Sequence, residues 1–409
     1  MKITKLSLAA LAVAGFASSA MAMDLSSVTV KPYAQAKLYY EATDMNGNDL
    51  FHKDGASGQA LLTAGVTGKF DSCWGYGFEY MVADTLGLES NLVSAVRMGA
   101  GTDTDPLDTH DWASQAYVTY SPCDTILSNT TFKIGRQYLD TPLAFTERWN
   151  LAPNSFDAIV AVNQDIKNVT LVGAYVGRGN GLKVKVSDAD KFSVYAKKGA
   201  YAVGALTKFV DGLPINLWYY DLPSLATAAW ADAAYNLKLA DDMAVGLGAQ
   251  YGTVMPAGAG DDTVGYGVKL SGKIGMFNVM AAYSSMDDDG AIPLANTATG
   301  GKKTKLYTAN IYTDGTAVAI PGSDAWKVKA AAKVDGIGKF IVQYNVCEND
   351  VTNAAMQNVS ELDVIYATKL AGINTKLIYM NRSIDEGKIA NNKLNDDTQH
   401  VRVILSKNF

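Results

Sequence analysis

A two-residue alternation of apolar and polar side chains returns along almost the whole length of this chain. In Asp324–Val334, Trp326, Val328, Ala330, Ala332 and Val334 share one face, and Lys327, Lys329 and Lys333 share the other. In Val28–Glu41, Val30, Ala34, Ala36, Leu38 and Tyr40 oppose Lys31, Tyr33, Gln35, Lys37 and Tyr39. In the last segment Val401, Val403, Leu405 and Phe409 oppose His400, Arg402, Ser406 and Asn408. Successive side chains of a strand point to opposite sides, so a period of two makes each segment a strand with one apolar and one polar face. No helical period competes over a comparable length. The chain is therefore all-β.

A soluble sandwich would also alternate, and three features argue against it. The apolar faces mix Ala and Gly with Val, Leu, Tyr and Phe, which suits contact with lipid better than interlocking core packing. Connections alternate between short turns, such as Phe70–Trp74 and Val334–Gly338, and long loops near 43–57, 86–109, 178–199, 286–323 and 383–395. Aromatic residues, including Trp74, Trp112, Trp218, Trp230 and Trp326, fall near strand ends, as in an interfacial girdle. Together these describe a transmembrane antiparallel β-barrel of the outer-membrane type. Eighteen strands are expected, near 28–41, 58–70, 74–85, 111–121, 130–138, 156–166, 168–178, 200–210, 214–221, 227–239, 243–252, 262–274, 276–286, 324–335, 338–347, 359–370, 373–382 and 398–409. Sixteen is the other count. Lys305–Tyr312 alternates like a strand but is assigned to the longest loop. Eighteen strands enclose a lumen wide enough for water, and the polar faces line it.

Residues 1–22 carry a basic start (Lys2, Lys5), a short apolar run and an Ala20-Met21-Ala22 cleavage site. They read as an export signal, leaving residues 23–409 as the barrel. The formal charge of −6 becomes −8 without those two lysines, which argues against a nucleic-acid partner. Three cysteines are too few for a disulfide scaffold. Cys73 and Cys123 both fall in short turns and form either a disulfide or two free thiols.

One long loop, about 139–155, interrupts the sheet with Asp140, Glu147, Arg148, two prolines and a tryptophan. Such a loop is expected to fold back into the lumen and narrow it. Around it, "KIGRQYLDTP" (133–142) and "WNLAPNSFDAIVAVNQDIKNVTLVGAYV" (149–176) resemble the OprD-like porins, with a layout similar to the major outer membrane proteins of Campylobacter. The resemblance implies a trimeric, usually cation-favouring diffusion channel for ions and small hydrophilic solutes, set in outer-membrane lipid. It also implies that Ca²⁺ is sometimes held at the constriction. The other reading is a surface adhesin whose long loops bind host or matrix. A charged loop inside the barrel separates the two, because an adhesin has no use for one.

The constriction is expected to set Asp140, Glu147, Arg148 and Asp157 against the basic wall residues Lys31, Lys37, Arg136, Lys329 and Arg402. Opposed rows of charge make a transverse field across a pore. Arg136 shares the parity of Phe132 and Ile134 and needs a β-bulge at Gly135 to turn inward. With Asp140, Glu147 and Asp157 at the narrowest point, mild cation selectivity is expected. The acidic loop clusters Asp103–Asp108, Asp261–Asp262 and Asp287–Asp289 are candidate Ca²⁺ ligands, or plainer vestibule charge. No metal site can be assigned, and His52, His110 and His400 show no ligand spacing. Neither His52 nor His110 lies near a Gly-x-Ser-x-Gly elbow, so the chain is read as non-enzymatic. Phe409, the C-terminal aromatic, is the expected assembly signal.

Overall fold

Neighbouring strands are antiparallel throughout, and the last pairs with the first, so the sheet has no free edge. The structure, a computed structural model, describes residues 28–44, 49–88, 92–93, 110–123, 127–181, 191–196, 198–350, 358–384 and 397–409. The expected export signal and the Asp103–Asp108 cluster lie outside them.

The eighteen long strands are β1 (Thr29–Thr43), β2 (Ala56–Lys69), β3 (Trp74–Asp84), β4 (His110–Tyr120), β5 (Thr130–Gln137), β6 (Phe156–Asn163), β7 (Val169–Gly179), β8 (Ala200–Val210) and β9 (Leu213–Leu222), followed by β10 (Ala226–Lys238), β11 (Met243–Pro256), β12 (Thr263–Ile274), β13 (Phe277–Met286), β14 (Ser323–Val334), β15 (Gly338–Asn349), β16 (Asn358–Leu370), β17 (Ile373–Ile384) and β18 (Thr398–Asn408). A two-residue strand, Ser193–Val194, pairs with the end of β7. Closure runs from Gln35↔Asn408 to Thr43↔His400, and Phe409 exchanges backbone hydrogen bonds with Ala34. Lys305–Tyr312 is loop, as assigned from the sequence.

The face assignment follows the alternation. Trp326 and Val328 are more than half exposed on the outer wall, whereas Lys327 is buried on the inner one. The aromatic girdle is smaller than expected. Trp74 and Trp326 face outward, but Trp112, Trp218 and Trp230 are buried.

The reason is that this barrel has an apolar core inside it. Trp218, Tyr220 and Trp230 of the wall pack with Leu143 from the 139–155 loop and with Leu294, Leu306 and Val318 from the segment between β13 and β14. That second segment, residues 287–322, is a second inward fold. A solvated outer loop would have no reason to bury such residues. A second cluster, of Tyr39, Leu61, Met81, Trp112 and Leu151, seats the far end of the 139–155 loop on β1–β4.

Candidate functional site: the constriction

Two loops meet inside the barrel and hold each other. The Asn296 side chain accepts from the Phe145 N–H at 3.0 Å and donates to the Phe145 carbonyl at 3.1 Å, imitating a strand pairing. The Thr297 N–H donates to the Leu143 carbonyl at 2.9 Å. Glu147 lies between them, fully buried, accepting from Asn150 (3.0 Å), Asn296 (3.1 Å) and Thr299 (2.6 Å). The expectation that Glu147 contributes to a field across the pore is therefore corrected. Its charge is spent on amide and hydroxyl donors that tie the two loops together.

The second loop is latched to the wall at its far end. The Glu361 carboxylate on β16, fully buried, accepts the N–H groups of Ile311 (3.0 Å), Tyr312 (2.9 Å) and Thr313 in succession. Consecutive amides converging on one anion form a concave nest. Asn345 donates to the carbonyls of Thr308 and Thr313, and Lys327 to that of Ala309. Tyr312 reaches further, donating to Glu41, which also pairs with Arg402. Beside it Asp314 is buried with Lys303 at 3.3 Å, and burial pushes its carboxyl up to about 6 against the pull of that lysine.

The other expected waist and wall residues divide in four. Asp140 and Arg148 are exposed to the lumen, Asp140 paired with Lys305 and Arg148 lying 4.6 Å from the Tyr138 ring centroid. Lys31 and Lys329 stay on the inner wall, with Lys329 level with Gln343. Lys37 and Arg402 hold loops: Lys37 donates to the carbonyls of Asn150 and Leu151, and Arg402 is buried against Glu41 and Tyr312.

Arg136 and Asp157 are not at the waist. Gly135 takes a φ of +122°, which suits glycine, and an added Cβ there would meet the Ala116 carbonyl oxygen at 2.3 Å. Yet its pairing with Tyr117 and Ala158 continues without a shift, so no bulge forms and Arg136 keeps the outward parity of Ile134. There it binds Asp157 at 2.8 Å, caps the Ala113 carbonyl and stacks on Phe192, while Arg178 holds Asp157 from the other side at 2.8 Å. Register shifts do occur elsewhere, at Glu79/Tyr80 and Asp157/Ala158.

Between the two loops and the wall lies a cavity of about 230 Å³, lined by Trp149, Lys302, Lys303, Tyr312, Arg382 and Arg402 among others. Arg382, Tyr312, Asn296, Glu79 and Glu361 were not singled out from the sequence. The one available signal was Leu294, Leu306 and Val318 in a loop otherwise read as outer. Cys73 and Cys123 are joined in a disulfide with a Cα–Cα separation of 5.6 Å, and Cys347 is buried as a thiol. Among the described residues no three His, Cys, Asp or Glu side chains gather as a metal site, and Asp261–Asp262 and Asp287–Asp289 form none.

The family model described as outer membrane porin, OprD family, matches residues 33–345. No curated protein matches. Among solved structures, Pseudomonas aeruginosa OpdK with vanillate matches at a TM-score of 0.75 and 14% identity, covering 93% of this chain and 98% of that one. Acinetobacter baumannii OccAB3 matches at 0.74 and 12%, covering 93% and 99%. Pseudomonas aeruginosa OccK3 matches at 0.70 and 14%, covering 93% and 95%.

Proposed function

The chain belongs to the OprD family of outer membrane porins, and from that premise we propose a passive channel for small hydrophilic solutes that prefers anions. Location in the outer membrane and a channel for small solutes follow from the family and the closed barrel. The ion preference is an inference from the site.

The observation that carries it is the unequal burial of charge inside the barrel. Glu41, Glu79, Glu147, Asp314, Glu361 and Asp363 are all buried, while Asp232, partly exposed on the inner face, accepts from Asn216 and Trp230. Of the lumen cations among the described residues, only Lys327 and Arg402 are buried. Arg148 is exposed, and Lys133, Lys269, Lys302, Lys305, Lys329 and Arg382 are partly so. A carboxylate enclosed by donors inside a loop interface exerts little force on a passing ion. An ammonium at the aqueous surface, within a Debye length of roughly 8–10 Å, does. The cation preference expected from Asp140, Glu147 and Asp157 then rests on Asp140 alone, which Lys305 offsets.

The test is the zero-current potential of the purified protein in a planar bilayer under a KCl gradient. A potential of anion-selective sign is expected, and a cation-selective sign overturns the preference. A folded barrel that passes no current overturns the channel and favours the surface-protein reading. The likeness to the Campylobacter proteins finds no support in the structural matches. The homotrimer that the resemblance implies is kept as a proposal, and a detergent-extracted particle of one-chain mass would sink it. Export by residues 1–22 belongs to the same proposal, and Edman sequencing of the mature protein should begin at Met23.

A further inference from the structure

We propose that Glu79, a wall residue outside both constriction loops, positions Arg148 through the Tyr138 phenol and so tunes the channel's ion preference. The inference rests on the channel reading above. Glu79 lies on the lumen face of β3, between Gly65 and Gln115 on the neighbouring strands. It is nearly fully buried, and among the described residues no ammonium or guanidinium pairs with it. Burying an unpaired carboxylate is costly unless hydrogen bonds replace its water. Three hydroxyls do so here: Tyr33 from β1 at 2.8 Å, Ser114 from β4 at 2.6 Å, and Tyr138. Ser114 is the extra residue at the β3–β4 register shift, and that bulge aims it at Glu79.

The three donors are not equivalent. Tyr33 and Ser114 belong to the wall, and either would serve a purely structural anchor. Tyr138 is the first residue beyond β5, at the root of the constriction loop. Its ring carries the Arg148 guanidinium at 4.6 Å. A phenol that donates to a carboxylate gains electron density, which deepens the negative ring face that attracts the cation. Arg148 needs such a hold, because Lys133 lies near enough to repel it and is itself stacked on Tyr117. The chain Glu79–Tyr138–Arg148 thus fixes an exposed lumen charge from a buried position on the inner wall.

The experiment is a double-mutant cycle read as zero-current potential in a KCl gradient, using Arg148→Ala, Tyr138→Phe and the combination. Heat-modifiability on a gel confirms that each variant folds. Tyr138→Phe keeps the ring and removes only the donor. Arg148→Ala should shift the potential toward cations. Tyr138→Phe should produce a smaller shift of the same sign that vanishes in the Arg148→Ala background. Glu79→Gln, which keeps an acceptor but drops the charge, should fall between wild type and Tyr138→Phe. A Tyr138→Phe shift that persists in the Arg148→Ala background, or no shift from either single variant, overturns the inference. Wild-type barrels that conduct nothing would refute the channel reading instead, a result distinguishable from these.

Discussion

Replacing Glu361 by Gln removes the charge that latches the second inward loop and puts a donor where an acceptor stood. The carboxylate receives three consecutive backbone N–H groups, from Ile311, Tyr312 and Thr313, at a fully buried position. Tyr312 is shared between the two oxygens at 2.9 and 3.1 Å. Whichever way the amide turns, its NH₂ faces one of the outer N–H groups, so one bond is lost and two donors confront each other. A hydrogen bond to a charged acceptor contributes roughly 1.5–3 kcal/mol, and a stranded buried donor costs about 1–3 kcal/mol. The docked loop should lose on the order of 3–5 kcal/mol, which is two or three decades in its undocked population. Strand pairing around Glu361, with Asn345 and Arg382, involves only backbone, so the barrel itself should stay closed. Single-channel recording should show a larger mean conductance and added open-channel noise from loop excursions. Conductance and noise like those of wild type would show that the nest does not hold the loop, and that the apolar contacts of Leu306 and Val318 suffice.

Glu147→Ala should lower thermal stability by roughly 2–4 kcal/mol, because Asn150, Asn296 and Thr299 lose a buried charged acceptor. Glu147→Gln with Asp157→Asn should leave the zero-current potential near wild type, whereas a large anion-directed shift would return those carboxylates to the waist. Val328→Arg, on the lipid face, should cost roughly 2–4 kcal/mol at mid-bilayer, while Lys329→Glu on the inner wall should barely affect folding. Equal damage would mean the faces are misassigned. Asp314 has a carboxyl pKa raised to about 6, so its contribution to stability is fully present below the ordinary carboxylate value near 4 and lost as pH rises through 6. Melting temperature should therefore fall across that window in wild type, and Asp314→Asn should flatten the curve. Deleting Phe409 should impair assembly measured by heat-modifiability, since its backbone pairs with Ala34 at the barrel seam.

Strand number, strand edges and, along regularly alternating strands such as Ser323–Val334, the side each residue faces were legible in the sequence because parity is a local property. Once Val328 is out, Lys329 is in, whatever the rest of the chain does. The same logic placed Arg136 with Ile134, and the structure keeps it there, since a glycine with positive φ does not by itself break register. The 139–155 loop was also legible, because charge, proline and tryptophan between two strands have few other places to go. What its charges do was not. Glu147 reads identically in sequence whether it meets water or Asn296, and its distance from Asn296 along the chain hides the answer. The second inward loop was missed for the same reason. Its Leu294 and Val318 gain a place only when Trp218 and Trp230 turn inward to meet them. Local alternation built the wall. Which carboxylates remain charged at the water's edge was decided by loop-to-loop packing, because burial depends on neighbours brought together only by closing the barrel.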